Sequence, residues 1–185
     1  MEKRKIYLLG LITLLVFPLP TFFAFYFSGG ISPLQILHFN ANWSNIILYG
    51  LAVGIAYALI AFFILQAPIF QKIPLKVTDL VKKLNLNYWD AIFLSVCAGF
   101  GEELLFRVGI QHYLGIYLTS FLFVAVHGYF SLKNPLISLY GFLVLPLALI
   151  LGFGYEYFGF WFSATVHFAY DLVIFITIIG LKKVI

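Results

Sequence analysis

Apolar residues dominate this chain so thoroughly that its polar positions are what divide it. Six apolar runs stand out, at Ile6–Phe27, Asn45–Gln66, Tyr88–His112, Tyr113–Phe130, Leu136–Phe153 and Phe160–Leu181. Each is about 17–25 residues long, enough for a helix to cross a bilayer. Between them lie a polar loop at Gly29–Ser44, a charged segment at Lys72–Asn87, a break at Lys133-Asn134-Pro135 and a turn at Gly152–Gly159 containing Glu156. The first run is too long for the core of a signal peptide and has no small-residue cleavage site. It reads as a retained spanning helix, kinked at Pro18 and Pro20. Gly50 and Gly54, with Ala52, Ala56 and Ala58, give the second run a small-residue face for close packing, within the chain rather than between copies. In the charged segment Leu75, Val77, Leu80, Val81, Leu84 and Leu86 recur at helical spacing. This suggests a short amphipathic helix on the membrane surface, with a solvated loop as the alternative.

The composition places this pattern in a membrane. The 185 residues are 63% hydrophobic and 10% charged, against about 25% charged in a soluble domain. The expected fold is all-α: a single polytopic bundle of about six transmembrane helices over residues 1–185. Every Lys and Arg except Arg107 falls at the N-terminus, in the loop at 67–87, in the turn at 131–135 or at the C-terminus. Alternating sides puts all four groups in the cytoplasm, with both ends inside. No basic run interleaves with exposed aromatics, which argues against a nucleic-acid partner. The single cysteine, Cys97, permits no intramolecular disulfide and reads as a small core residue.

Against this background, ionisable groups at membrane depth are costly and mark functional candidates. The densest cluster is Gly101-Glu102-Glu103-Leu104-Leu105-Phe106-Arg107. Glu103 and Arg107 are one helical turn apart, acid before base, the favourable order for an ion pair. Glu102 points about 100° away and has no such local partner. An intramembrane carboxylate of that kind has the profile of a general base. Two further pairs follow on later runs: Phe123 with His127, and His167 with Asp171, each on one helical face. Inward-facing groups from three helices can converge. The bland alternatives are a structural ion pair for Glu103–Arg107, hydrogen-bonded core histidines at 127 and 167, and an Asp171 that only partners His167. His38 and His112 read as surface residues, and Asp90 and Glu156 as helix-end residues.

Glu-Glu-x-x-x-Arg, Phe-x-x-x-His and His-x-x-x-Asp, in this order on separate spans, resemble the CAAX-protease and bacteriocin-processing (CPBP, or Abi) family of intramembrane proteases, whose archetype is the Rce1-type prenyl endopeptidase. The resemblance covers residues 88–175. It implies that Glu102 is the catalytic glutamate, that Glu103 and Arg107 are its motif partners, and that His127, His167 and Asp171 complete the site. Asp171 stands where prenyl proteases usually carry Asn. The expected substrate is a peptide or protein at the lipid bilayer, cleaved by a water that Glu102 and His127 polarise, with His167 and Asp171 placed for the oxyanion. A Zn²⁺ ion held by Glu102, His127 and His167, with an open water position, is the alternative mechanism. Alternatives of other classes are a non-catalytic immunity or chaperone-like protein and a small transporter. The resemblance leaves one geometric problem. At about 1.5 Å per residue, straight rods leave Glu102 and His127 as much as ~10 Å apart in depth. A bend at Gly99 and Gly101 is the candidate solution.

Overall fold

The computed structural model describes residues 3–28, 33–37, 42–69, 81 and 83–182. His38 and most of the expected amphipathic segment lie outside the described residues. Every described element is helical. Helices α1 (Lys3–Leu15) and α2 (Leu19–Ser28) are two arms of one apolar span. The turn between them falls at Val16–Pro18, as the two prolines predict, since neither has an N–H to continue the ladder. After a single helical turn, α3 (Pro33–Ile36), comes α4 (Trp43–Leu65). Helix α5 (Tyr88–Glu103) opens with a capping box between Asn87 and Asp90. It passes into a π-helical segment, Leu104–Ile110, and then α6 (Gln111–Val126). Helices α7 (Pro135–Phe158) and α8 (Phe160–Lys182) complete the described chain.

Four stretches are long and apolar enough to cross a membrane: Lys3–Ser28, Trp43–Leu65, Pro135–Phe158 and Phe160–Leu181. The two remaining apolar runs form a hairpin that packs one face against the other helices, and this hairpin carries the charged motif. Helix α8 is its main support, packing against α4, α5 and α7. Phe162, Val166 and Tyr170 of α8 share a core with Ala58 and Ala61 of α4 and with Leu147 and Leu151 of α7. The α4–α8 contact depends on the small residues read from the sequence. A Cβ at Gly54 would stand 2.4 Å from the Val166 carbonyl oxygen, so these backbones meet where any side chain would separate them.

Three boundaries differ from the sequence reading. The fifth run does not turn at Gly152 but stays helical to Phe158, and Gly159, with φ of 84°, makes the break. Gly152 and Gly154 serve packing instead, where added Cβ atoms would meet Ile116 and the Phe162 ring at 2.7 and 2.2 Å. The hairpin reverses at Gly115 (φ 72°, ψ 174°) rather than at His112. Finally, Gly99 and Gly101 do not bend α5, which is regular through both. The irregular backbone begins after Glu103.

Candidate active site

The site is built on the end of α5. At Gly101 a Cβ would lie 2.0 Å from the Thr13 carbonyl oxygen, so α1 presses directly against α5 one residue before the glutamates. The π-helical segment then widens the backbone turn, a device that recurs at functional sites. Thr21 on α2 supports it: its hydroxyl donates to the Leu104 carbonyl at 3.0 Å and packs where a Cβ on Gly109 would be.

The two adjacent carboxylates have different surroundings. Glu103 is fully buried. Its Oε2 accepts from Arg107 Nε at 3.1 Å, and its Oε1 accepts from His167 Nδ1 at 2.8 Å. Arg107, also fully buried, extends the network: Nη1 lies 3.4 Å from Ser120 Oγ, and the guanidinium stands 5.2 Å over the Phe123 ring. Ser120 in turn donates to the Ala148 carbonyl at 3.0 Å. One buried polar chain thus ties α8, α5, the π-helical segment, α6 and α7 together. Charges buried this deeply are tolerated only when paired and hydrogen-bonded.

Glu102 faces the other way. Its Oε2 lies 3.2 Å from His127 Nε2. His127 Nδ1 donates to the Phe123 carbonyl at 2.6 Å, since a carbonyl can only accept. That bond fixes the ring and turns Nε2 toward the carboxylate. His167 Nε2 is 3.7 Å from Asp171 Oδ2, too long for a hydrogen bond. Glu102, His127, His167 and Asp171 all line one cavity of about 380 Å³, whose remaining wall includes Phe123, Tyr129, Tyr140 and Tyr170. Glu102 and Asp171 also border a second cavity, of about 190 Å³, against Ile6, Leu9 and Gly10 of α1. These two carboxylate residues form part of the partition between the spaces.

Four of the six candidate residues therefore meet at one cavity, while Glu103 and Arg107 stand behind it. The depth problem is solved by the position of the reversal. Gly115 comes thirteen residues after Glu102 and twelve before His127, so the two arms of the hairpin are nearly equal and bring both residues to one level. His112 is exposed at the far end, beside Phe25 and Tyr113, as expected.

A zinc site needs three protein ligands around one open position. Among the described residues no three His, Cys, Asp or Glu side chains are arranged to hold a metal ion. His167 Nδ1 is engaged by Glu103, which leaves only Nε2, turned toward Asp171. Glu102, His127 and His167 are not gathered as a three-ligand set in this geometry.

Sequence reasoning passed over Tyr129, Tyr140 and Tyr170. The available signal was spacing: Tyr170 is three residues after His167, on the same helical face. It also undervalued Asp90, which is buried and receives Lys3 Nζ, Tyr7 Oη and the Asn87 N–H, fastening the start of α1 to the start of α5. Glu156 accepts from Gln111 Nε2 at 2.9 Å and so joins α6 to α7.

A helical membrane protein with a carboxylate–histidine pair at an interior cavity is the class defined by this fold and site. Residues 84–173, the stretch that builds most of that cavity, match the family model described as "Type II CAAX prenyl endopeptidase Rce1-like". The three motifs thus lie within a stretch similar to that family, and this is an integral membrane protein. A curated relative, "Uncharacterized protein YpbD" of Bacillus subtilis (strain 168), is 35% identical over 83 residues, 44% of this chain. The matched stretch spans 42% of that relative's length. No solved structure matches the chain.

Proposed function

We propose that this protein is an intramembrane endopeptidase in which Glu102 is the general base. The observation that carries the reading is the Glu102–His127 pair, 3.2 Å apart at the wall of a cavity large enough for an extended peptide segment. A water between Glu102 and a bound peptide gives a proton to Glu102 as its oxygen adds to the carbonyl carbon. The carbonyl π electrons move to oxygen. Collapse of the tetrahedral intermediate breaks the C–N bond, and the proton passes from Glu102 to the departing amine. His127, fixed by the Phe123 carbonyl, orients Glu102 and steadies its charge. Glu103 and Arg107 act through His167 as positioning residues. The substrates proposed are membrane-associated peptides of the prenylated or bacteriocin-like kinds that the family resemblance implies.

We further propose that both ends of the chain lie on the cytoplasmic side, as the Lys and Arg distribution requires. In a Cys97→Ser background, cysteines placed at Trp43 and Tyr155 should react with an impermeant thiol reagent only from outside the cell.

Cleavage of membrane-peptide reporters by purified protein tests the chemistry. Wild-type protein should cleave and Glu102→Gln should not, because an amide cannot take a proton from water. A chelator should leave turnover unchanged. Equal turnover by both proteins refutes the assignment of the base, and chelator-sensitive turnover refutes the metal-free route.

A further inference from the structure

Beside the site lies a space to which the mechanism above gives no task. The cavity of about 190 Å³ shares Glu102, Asp171 and Phe175 with the larger one, so the two adjoin along these residues. It runs along one face of α5, where Leu94, Ala98 and Glu102 stand at successive helical turns. Helix α1 forms its other side, with Ile6, Leu9 and Gly10.

Small residues make this room. Gly10, Cys97 and Ala98 all border it, and a Cβ on Gly10 would already stand 3.0 Å from the Phe93 ring and 3.4 Å from Cys97 Sγ. A larger side chain at position 98 would fill the space, as interiors are ordinarily filled. Away from Glu102 and Asp171 the lining is apolar. Thr13 spends its hydroxyl on the Leu9 carbonyl at 3.1 Å, within α1. Water needs about two to four polar partners, whereas a hydrocarbon-lined cavity of roughly 150 Å³ takes a benzene-sized guest. The space therefore suits one side chain of Leu or Phe size.

Position ties that guest to the reaction. Glu102 has to come within one water of the scissile carbonyl. The Cα atoms on either side of a peptide bond are about 3.8 Å apart. The side chain of a residue flanking the cleaved bond thus starts beside Glu102, at the edge where the two cavities adjoin.

We infer that the cavity against α1 is a side-chain subsite. It takes a large apolar side chain, of Leu or Phe size, from one of the two residues that flank the cleaved bond. Ala98 determines the size it accepts. The inference rests on the endopeptidase reading.

The test uses membrane-peptide reporters that carry Ala, Leu or Phe at each flanking position in turn, with the cleaved bond located by mass spectrometry. It compares wild type with Ala98→Val and Ala98→Leu. At one of the two positions wild type should favour Leu over Ala by roughly 50-fold in kcat/KM, the worth of three buried carbon groups. Ala98→Leu should lose that preference and still cleave the Ala reporter as wild type does. Ala98→Val should fall between. The Ala reporter separates loss of fit from loss of fold or chemistry. Three outcomes overturn the inference and leave the endopeptidase reading standing: no preference at either position, a preference unchanged in both variants, or a loss that is equal on every reporter. A wild type that cleaves no reporter overturns the endopeptidase reading, and the subsite with it.

Discussion

Glu103 Oε1 accepts a hydrogen bond from His167 Nδ1 at 2.8 Å, joining the first sequence motif to the third inside the bundle. Its neighbour Glu102 reaches the second motif instead, through His127. Adjacent glutamates therefore have different surroundings, one tying helices together and one at the cavity where the proposed chemistry would take place.

Glu103→Gln should be the destabilising change. It leaves Arg107 charged, buried and without its acid, and removing one partner of a buried ion pair costs about 3–5 kcal/mol. Glu102, with 15% of its side chain exposed to the cavity, should tolerate Gln with little loss of stability. Thermal melts in detergent beside turnover per folded molecule should show Glu102→Gln folded and inactive, and Glu103→Gln poorly folded. The reverse ranking would show that the catalytic role belongs to Glu103.

Gly115→Ala isolates the cost of the hairpin reversal. Nothing lies within 4 Å of where a Cβ would be, so any effect is conformational rather than steric. With φ of 72° and ψ of 174°, the residue occupies a region that essentially only glycine adopts, at about 1–3 kcal/mol for other residues. The variant should melt lower than wild type, and an unchanged melt would mean that the reversal is not held in this conformation.

Gly101→Ala probes the α1–α5 contact at the level of the site. The added carbon would meet the Thr13 carbonyl oxygen at 2.0 Å, and overpacking of this kind costs about 1–3 kcal/mol. Gly180→Ala, with nothing within 4 Å, is the matched control and should be neutral or stabilising by up to ~1 kcal/mol. Yields of folded protein from the two variants would decide whether α1 is seated against the motif helix.

Gly10→Cys tests the same docking chemically. Its Cβ would lie 3.4 Å from Cys97 Sγ, close to the separation across a disulfide. Mild oxidation in membranes should consume both thiols within one chain and reduction should restore them. Two persistent free thiols would place α1 elsewhere.

Legibility in the sequence followed cost. Glu102, Glu103, Arg107, His127, His167 and Asp171 stood out because ionisable groups in apolar runs are costly, and the structure gathers all six at or behind one cavity. The same logic is blind to Tyr170, whose ring belongs in an apolar run and whose hydroxyl attracts no notice. Asp90 looked like an ordinary helix start because its partners, Lys3 and Tyr7, are more than 80 positions away. Glycines misled in both directions. Gly99, Gly101, Gly152 and Gly154 read as bends or turns but are contact points. Gly115 marks the true reversal, yet it sits unremarked among apolar residues. The π-helical segment accepts a hydrogen bond from Thr21, contributed by a distant helix.

The buried chain from His167 through Glu103, Arg107 and Ser120 to Ala148 has a consequence for biogenesis. A translocon releases helices into lipid in sequence order, and the motif hairpin leaves before α7 and α8 exist to receive it. On insertion scales each exposed charge near a helix centre costs about 2.5–3.5 kcal/mol, so the Glu103–Arg107 hairpin is a poor lipid-facing intermediate. It should wait in the protein-lined vestibule of the insertion machinery, or at the interface, until the last two spans arrive. The wall of the cavity would then be completed in the same event as the final step of membrane insertion.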